Sequence, residues 1–493
     1  MTLRRFPPAA TAAAFIISSV GLLAFPHPAP PAACAAVPAA KGAQATPPVR
    51  RHEMESGARL LVAARPASDV VAIDLRVRGA GSAAESAANS GAAHFVEHLV
   101  FKGGGAPDAP PGALDAAFES LGGEVGAQTS RDFVTYSITV PEKNWKVALR
   151  LLGSMLLSPA FRPADVEAER AVIRREMAVA RGDARRLGIG ALAGAAFPVG
   201  DPYRLPLMGT EQSIGKLTDA DLRAFHAAHY RPGRFTLAVA GPVSLEAVRE
   251  AAAEAFGGAS RTETAAATGN GVSVAAEAGE VPLVSAGAEA RPVRAVVLPP
   301  ADARTAATLN TVFFAFRVPA PRDPAEAALA EVTASLLARG GDEGCVAKRL
   351  TASGLAVAVR AEYLALRRGG LLLLSATGRG TADELESALV AELVRLREDG
   401  VPPGEVEAAK YARLGQAMAD GEVADALAAR LAYYDALDAA PDWYEGYAGR
   451  VSALTDADLA RSVRDWLAPA RRVVAVTGPD AAATAPSVAG ARP

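Results

Sequence analysis

Apolar positions along this chain switch between a spacing of two and a spacing near 3.6, so strands and helices are both expected. Arg59 to Ala64 and Val70 to Arg78 carry the dense aliphatic runs of strands, and Phe133 to Val140 alternates as a half-buried strand does. Helical spacing covers residues 88–102, Gly112 to Leu121, and roughly 142–157 and 163–181. These elements do not alternate in βαβ fashion. They predict an α+β fold of antiparallel sheets with helices packed on one side.

A long repeat divides the chain. Leu217-Thr218-Asp219-Ala220-Asp221-Leu222 returns 237 positions later as Leu454-Thr455-Asp456-Ala457-Asp458-Leu459. At the same offset Pro232 meets Pro469, and Gly241-Pro242 meets Gly478-Pro479. Each copy reads as a capped helix, a Pro-containing turn and an apolar strand, Phe235 to Ala240 and Val473 to Thr477. A repeat of this length means two related domains rather than a solenoid. Residues 259–290, rich in Ala, Gly, Thr and Ser, read as a linker. The expected organisation is therefore 46–258, a linker at 259–290, a second domain at 291–480, and a tail at 481–493.

A chain of 493 residues with half of them hydrophobic can build two cores and is not a disordered protein. A net charge of −3 with no basic stripe argues against nucleic acid as a partner. Two Cys cannot form a disulfide framework, and Cys345 reads as a small buried side chain. Residues 1–45 read as a targeting segment. Arg4 and Arg5 precede an apolar run from Ala12 to Phe25, and no acid occurs before Glu53. That run has the length of a signal h-region and is short for a membrane span, so a mature chain without a transmembrane domain is expected, periplasmic or otherwise extracytoplasmic. Scarce Ser and Thr weigh against the alternative, an organelle transit peptide. Cys34 lacks the aliphatic residue three positions earlier that would favour lipid attachment.

The chemistry concentrates in His94-Phe95-Val96-Glu97-His98. Residues four apart share one face of a helix, so both imidazoles can grip one ion. Zinc with three protein ligands and a water is the common catalytic arrangement, and Glu97 stands where it could take that water's proton. The repeat supports a chemical role. Lys102-Gly103-Gly104 corresponds to Arg339-Gly340-Gly341, which places Glu331, Ala334 and Ser335 opposite His94, Glu97 and His98. The second copy keeps a helix there and loses the donors.

A third ligand is expected on the helix from Pro163 to Arg181. Glu169 and Glu176 fall on its apolar stripe of Val166, Ile173 and Ala180, while Glu167, Arg170 and Arg174 are expected to face away. Two carboxylates on a buried stripe require a positive partner, either a metal or an Arg such as Arg175. Spacing alone does not choose between Glu169 and Glu176. The matching helix near Val401-Pro402-Pro403 has no acid between Glu407 and Asp420. His226 and His229, whose repeat counterparts are Val463 and Trp466, read as structural. Gly103-Gly104-Gly105 reads as a helix stop.

Together these residues resemble the pitrilysin/insulinase family of zinc metallopeptidases, in its two-domain bacterial and mitochondrial-processing-type branch, over about residues 50–480. His94-x-x-Glu97-His98 is similar to the family's inverted zinc motif. Glu176, 78 positions after His98, fits the distal ligand, and Glu169 resembles the supporting acid. Thr129-Ser130-Arg131-Asp132 with Tyr136, then Pro202-Tyr203, Gly209 and Tyr230-x-Pro232, resemble later family segments.

The resemblance implies a clamshell of two homologous α+β domains. One Zn²⁺ per chain would be held by His94, His98 and Glu176, with Glu97 as general base and Glu169 assisting catalysis. It implies a zinc-dependent endopeptidase acting on peptides or unfolded polypeptides, which would add as a strand along Gly126, Ala127 and Gln128. Two departures bear on substrate anchoring. Gly126 replaces a usual Asn, and Leu350 and Val357 stand where an Arg and a Tyr are common around Gly354-Leu355-Ala356. The alternatives are a non-catalytic polypeptide-binding core subunit, or a catalytic subunit that needs a partner, as a homodimer or with a related chain.

Overall fold

In the computed structural model, which describes residues 48–103, 112–257, 293–296 and 309–481, the aliphatic runs of the first half become the middle of a sheet. Strands β1 (Val49–Glu53), β2 (Arg59–Ala64), β3 (Val70–Arg78), β4 (Gly126–Thr129), β5 (Phe133–Pro141) and β6 (Phe235–Gly241) pair in the order β1-β2-β6-β3-β5-β4. The expected targeting segment and linker, Gly104, Gly105 and the tail beyond residue 481 lie outside the described residues.

The helices of this lobe are α1 (Ala92–Val100), α2 (Ala113–Ser120), α3 (Trp145–Leu157), α4 (Pro163–Ala180), α5 (Ala184–Ala196), α6 (Glu211–Lys216), α7 (Asp219–His229) and α8 (Leu245–Phe256). Helix α1 is shorter than the expected 88–102, because Gly91 stands in the left-handed region at φ +93° and a turn closed by Asn89 on Ser86 precedes it. A Cβ at Gly91 would lie 2.5 Å from the Ile214 side chain, so only glycine permits this entry. Gly103, at φ +81°, follows α1 as the expected stop.

The second lobe repeats the plan. Strands β7 (Val293–Val296), β8 (Asn310–Val318), β9 (Ala356–Leu364), β10 (Gly370–Gly378) and β11 (Val473–Thr477) pair as β7-β11-β8-β10-β9. Its helices are α9 (Pro324–Leu337), α10 (Ala347–Ala352), α11 (Ala382–Glu398), α12 (Glu405–Glu422), α13 (Ala424–Ala436), α14 (Trp443–Ala453) and α15 (Asp456–Trp466). The fold is α+β with two related lobes, as the sequence implied. The sheets depart from it in one respect: β2–β6 and β7–β11 are parallel. After the helical excursion from Pro141 to Phe235, β6 inserts between β2 and β3, antiparallel to one neighbour and therefore parallel to the other.

A second difference joins the lobes. The sheets are not covered on one side only. Helix α5, from the first half, packs on β8 and β11 of the second sheet, and α13, from the second half, packs on β3 and β6 of the first. Leu192, Ala196 and Phe197 bury against Phe313, Ala315, Leu373 and Ala475. Leu427, Ala428 and Leu431 share a core with Leu61, Ala72 and Ala238. Each fully buried aliphatic or aromatic side chain contributes about 1.5–3 kcal/mol, so this exchange closes the two halves firmly, as a clamshell. At Gly188 a Cβ would lie 2.4 Å from the Phe313 ring, which shows how closely α5 approaches β8.

Candidate metal centre

All nine residues of α1 are buried, which is why its two imidazoles and one carboxylate point into protein rather than solvent. Helix α4 lies across it. His94, His98 and Glu176 offer donor atoms that all lie within 4.8 Å of one another. Glu176 Oε2 stands 3.6 Å from His94 Nε2 and 3.3 Å from His98 Nε2. Both Glu176 Oε2 and His98 Nε2 are buried without a hydrogen-bond partner. Orphaned donors and acceptors at one point are costly unless something fills it, and two imidazoles with a carboxylate suit zinc.

The open choice between the two acids of α4 has a geometric answer. Glu176 faces both imidazoles, whereas Glu169 accepts from His98 Nδ1 at 2.9 Å on the far side of that ring. Glu169 also pairs with Lys102 Nζ at 2.7 Å. Burial would push the Glu169 carboxyl up, but His98 and Lys102 outweigh it and hold it below its ordinary value. Burial would likewise depress His98, yet Glu169 and Glu176 push it up to about 9. The field at this point is negative and favours a cation. His94 is lowered well below its ordinary value by burial, then by His98 and Arg186.

Glu97 stands on the same helix, buried, with Thr129 Oγ1 donating to its Oε2. Burial lifts its carboxyl to about 6 against the pull of His98 and Thr129. Thr129 ends β4, so the edge strand and the candidate base are tied by one hydrogen bond. Gly126, Ala127 and Gln128 occupy the rest of β4, the last strand of its sheet, and pair with β5 on one side only. Behind them the Tyr136 and Tyr230 hydroxyls lie 2.9 Å apart.

Arg170 does not face away, as α4's periodicity suggested. It is buried, donates to the carbonyls of Ile214 and Leu217, and caps the ends of neighbouring segments. Arg175 has no ion pair with either acid. His226 Nε2 donates to the Leu156 carbonyl at 2.7 Å and its ring stacks on Tyr230, a structural setting. Cys345 is buried, as expected.

Spacing missed three features. Lys102 lies past the end of α1, where no periodicity draws notice. Thr129 needed the sheet register to meet Glu97. The Arg131-Asp132 turn joins the lobes: Asp132 accepts from the Tyr203 hydroxyl at 2.5 Å and from the Arg367 N–H at 3.1 Å. Between the lobes, past the end of α4, a cavity of about 650 Å³ is walled by Val179, Asp183 and Arg185 on one side and Thr311, Arg360 and Ser375 on the other.

Two α+β lobes, with the one His-His-Glu cluster among the described residues in the first, define a two-lobed protein with a candidate divalent-metal centre. The chain belongs to the insulinase family, peptidase family M16. That family's model matches residues 59–211, and the model described as the peptidase M16 inactive domain matches residues 216–412. The mitochondrial-processing peptidase subunit beta of Caenorhabditis elegans is 32% identical over 209 residues, 42% of this chain and 45% of that protein. Cytochrome b-c1 complex subunit 1 of Homo sapiens is 33% identical over 178 residues, 36% of each chain. An uncharacterized zinc protease of Mycobacterium leprae is 32% identical over 209 residues, 42% of this chain and 46% of its own length. The matched stretch thus spans under half of each of these relatives. Among solved structures, a protease from Helicobacter pylori shares the fold with a TM-score of 0.75 at 21% identity, covering 88% of this chain and 100% of that one. The periplasmic protease PqqL from Escherichia coli gives 0.63 at 20% identity, over 90% and 49%.

Proposed function

We propose that this chain is a zinc-dependent endopeptidase that cleaves peptides or unfolded polypeptides. The observation that carries this reading is the convergence of His94, His98 and Glu176 with Glu97 and the end of an edge strand beside them. His94, His98 and Glu176 would hold one Zn²⁺, which when bound polarises a carbonyl and lowers the pKa of water toward 7. Glu169, accepting the proton of His98 Nδ1, fixes the tautomer that leaves Nε2 free to ligate. Glu97 takes a proton from the attacking water and returns it to the leaving amine. Thr129 occupies Oε2 of that carboxylate, which leaves Oε1 for the proton.

Substrate would extend the sheet along the outer edge of β4, at Gly126, Ala127 and Gln128. Main-chain hydrogen bonds supply affinity there and read side chains loosely. Similarity to M16 relatives described as zinc proteases supports the same reading. The targeting segment supports an extracytoplasmic site of action, with an organelle as the alternative. No helix among the described residues is long and apolar enough to cross a membrane.

A second reading has its own support. Leu350 is buried in the second lobe's core and Val357 is exposed, so neither supplies the polar anchor that family members often carry there. Relatives named as subunits of larger assemblies fit a chain that works with a partner, as a homodimer or beside a related subunit. It also fits a non-catalytic core subunit. The purified chain should carry one zinc and cleave a mixed peptide library in a chelator-sensitive way. Zinc without cleavage, restored by a partner chain, selects the subunit reading; cleavage that survives complete metal removal sinks the proposal.

A further inference from the structure

The two histidines reach the centre with unequal support. Glu169 fixes the far side of the His98 ring, whereas His94 Nδ1 is buried with no hydrogen-bond partner. Apart from its contacts with the His98 ring and Glu176, the direction of His94 is set by packing and by the first turn of α1. That turn has no cap of its own, since Gly91 offers no side chain. Glu85, six residues earlier, supplies it. Its Oε2 accepts the Gly91 N–H at 2.8 Å and its Oε1 accepts the Ala93 N–H at 2.8 Å.

Glu85 is buried, and no Lys, Arg or His pairs with it among the described residues. A buried carboxyl without a counter-charge is costly: burial pushes Glu85 up to about 8, and the N–H groups of Gly91 and Ala93 at the helix start offset only part of that. Its own position is fixed from the sheet. Ser82 and Ala83 donate to the carbonyls of Ser130 and Arg131, at 3.0 and 2.8 Å. Gly81 lets the chains come that close, since a Cβ there would lie 2.4 Å from both oxygens. The β4–β5 turn thus holds Glu85, Glu85 holds the first turn of α1, and that turn carries His94.

We propose that Glu85 is a positioning residue for His94, setting the direction from which that imidazole reaches the metal. The proposal rests on the reading of His94, His98 and Glu176 as ligands. Glu85→Ala leaves two N–H groups of a buried helix start without acceptors, and Glu85→Gln keeps one acceptor oxygen. Zinc affinity, measured by competition with a chelating indicator, should fall about 10–100-fold in Glu85→Ala and less in Glu85→Gln. The visible absorption of bound Co²⁺ should change shape in Glu85→Ala and return toward wild type in Glu85→Gln, a graded response that a general loss of stability does not produce. Leu427→Ala, in a core cluster separate from that of α1, serves as the control and should lower the melting temperature with the Co²⁺ spectrum unchanged. Wild-type metal affinity and spectrum in both Glu85 variants would overturn the proposal while leaving the ligand assignment intact. A wild-type chain that binds neither ion would instead overturn the ligand assignment.

Discussion

Glu331 stands in the second lobe at the position that His94 holds in the first, 237 residues on, and is closed off by an internal ion pair. Arg413 of α12 donates to Glu331 Oε2, the Tyr447 hydroxyl reaches the same atom at 2.6 Å, and Tyr434 donates to Oε1. Arg430 Nη2 lies 4.0 Å away. Ser335, opposite His98, donates to the Ala409 carbonyl. Where the first lobe has a buried imidazole, the second thus has a carboxylate already paired with cations of its own chain. Arg430 and Tyr434 lie on α13, the helix packed on the first sheet, so this cluster also anchors the lobe exchange.

Removing one partner of a buried pair leaves an uncompensated charge, so Glu331→Gln should destabilise the chain by about 3–5 kcal/mol in denaturant titration, with its metal content unchanged.

The same carboxyl predicts a pH dependence. Burial alone would raise it, but Arg413 and Arg430, with the two tyrosines, hold it at about 2 against an ordinary 4.5. A folded-state value below the unfolded one stabilises the native state fully above 4.5, and that contribution is lost as pH falls toward 2. The acid limb of the wild-type stability profile should therefore be steeper between those values than in Glu331→Gln. Parallel limbs would remove Glu331 from the account.

Glu97→Gln keeps the size of the side chain on α1 and the three proposed ligands while removing the carboxylate proposed as proton acceptor. Peptide turnover should fall by about 10²–10⁴-fold with zinc retained at wild-type stoichiometry. Glu176→Ala should act in the opposite order, losing metal first. A Glu97→Gln chain with undiminished turnover would reassign the base.

The exchanged helices predict that the lobes unfold together. Leu192 of α5 is fully buried on the second sheet, and Leu192→Ala should cost about 2–5 kcal/mol. The loss should appear at one midpoint, whether followed by Trp145 in the first lobe or by Trp443 and Trp466 in the second. Two separated midpoints would show that α5 and α13 do not couple the cores.

Much of this was legible from pattern. The strands at Val70–Arg78 and Val473–Thr477 emerge at the expected bounds, because aliphatic runs flanked by turn residues leave little choice of period. The cost of burying two acids on one stripe called for a positive partner, a metal or an Arg; the resemblance pointed to the histidines, and the structure brings both acids to α1. What spacing could not carry was whatever depends on one segment meeting another. Arg170 looked solvent-facing because its partners, the carbonyls of Ile214 and Leu217, lie more than forty residues away. The parallel β2–β6 pairing arises because β6 enters late into a sheet already begun. The exchange of α5 and α13 had no signature at all, since a helix with one apolar face does not say whose sheet it covers.

The chain Lys102–Glu169–His98 yields the last prediction. Glu169 Oε1 takes the Lys102 ammonium at 2.7 Å and its Oε2 takes His98 Nδ1 at 2.9 Å, so each oxygen has one partner. Lys102 keeps the carboxylate ionised and oriented, and the carboxylate orients the imidazole. Glu169→Gln retains size and removes charge, and should weaken zinc binding by about 10–100-fold, the usual cost of losing an outer partner of a metal-bound His. Lys102→Met should cost less, because the lysine is partly exposed and acts at one remove. The double variant should fall short of the sum of the two losses, since Lys102 has little left to orient once Glu169 is neutral. Chelator competition on the four proteins measures that coupling directly. Fully additive losses would show that Lys102 reaches the metal centre by some route other than Glu169.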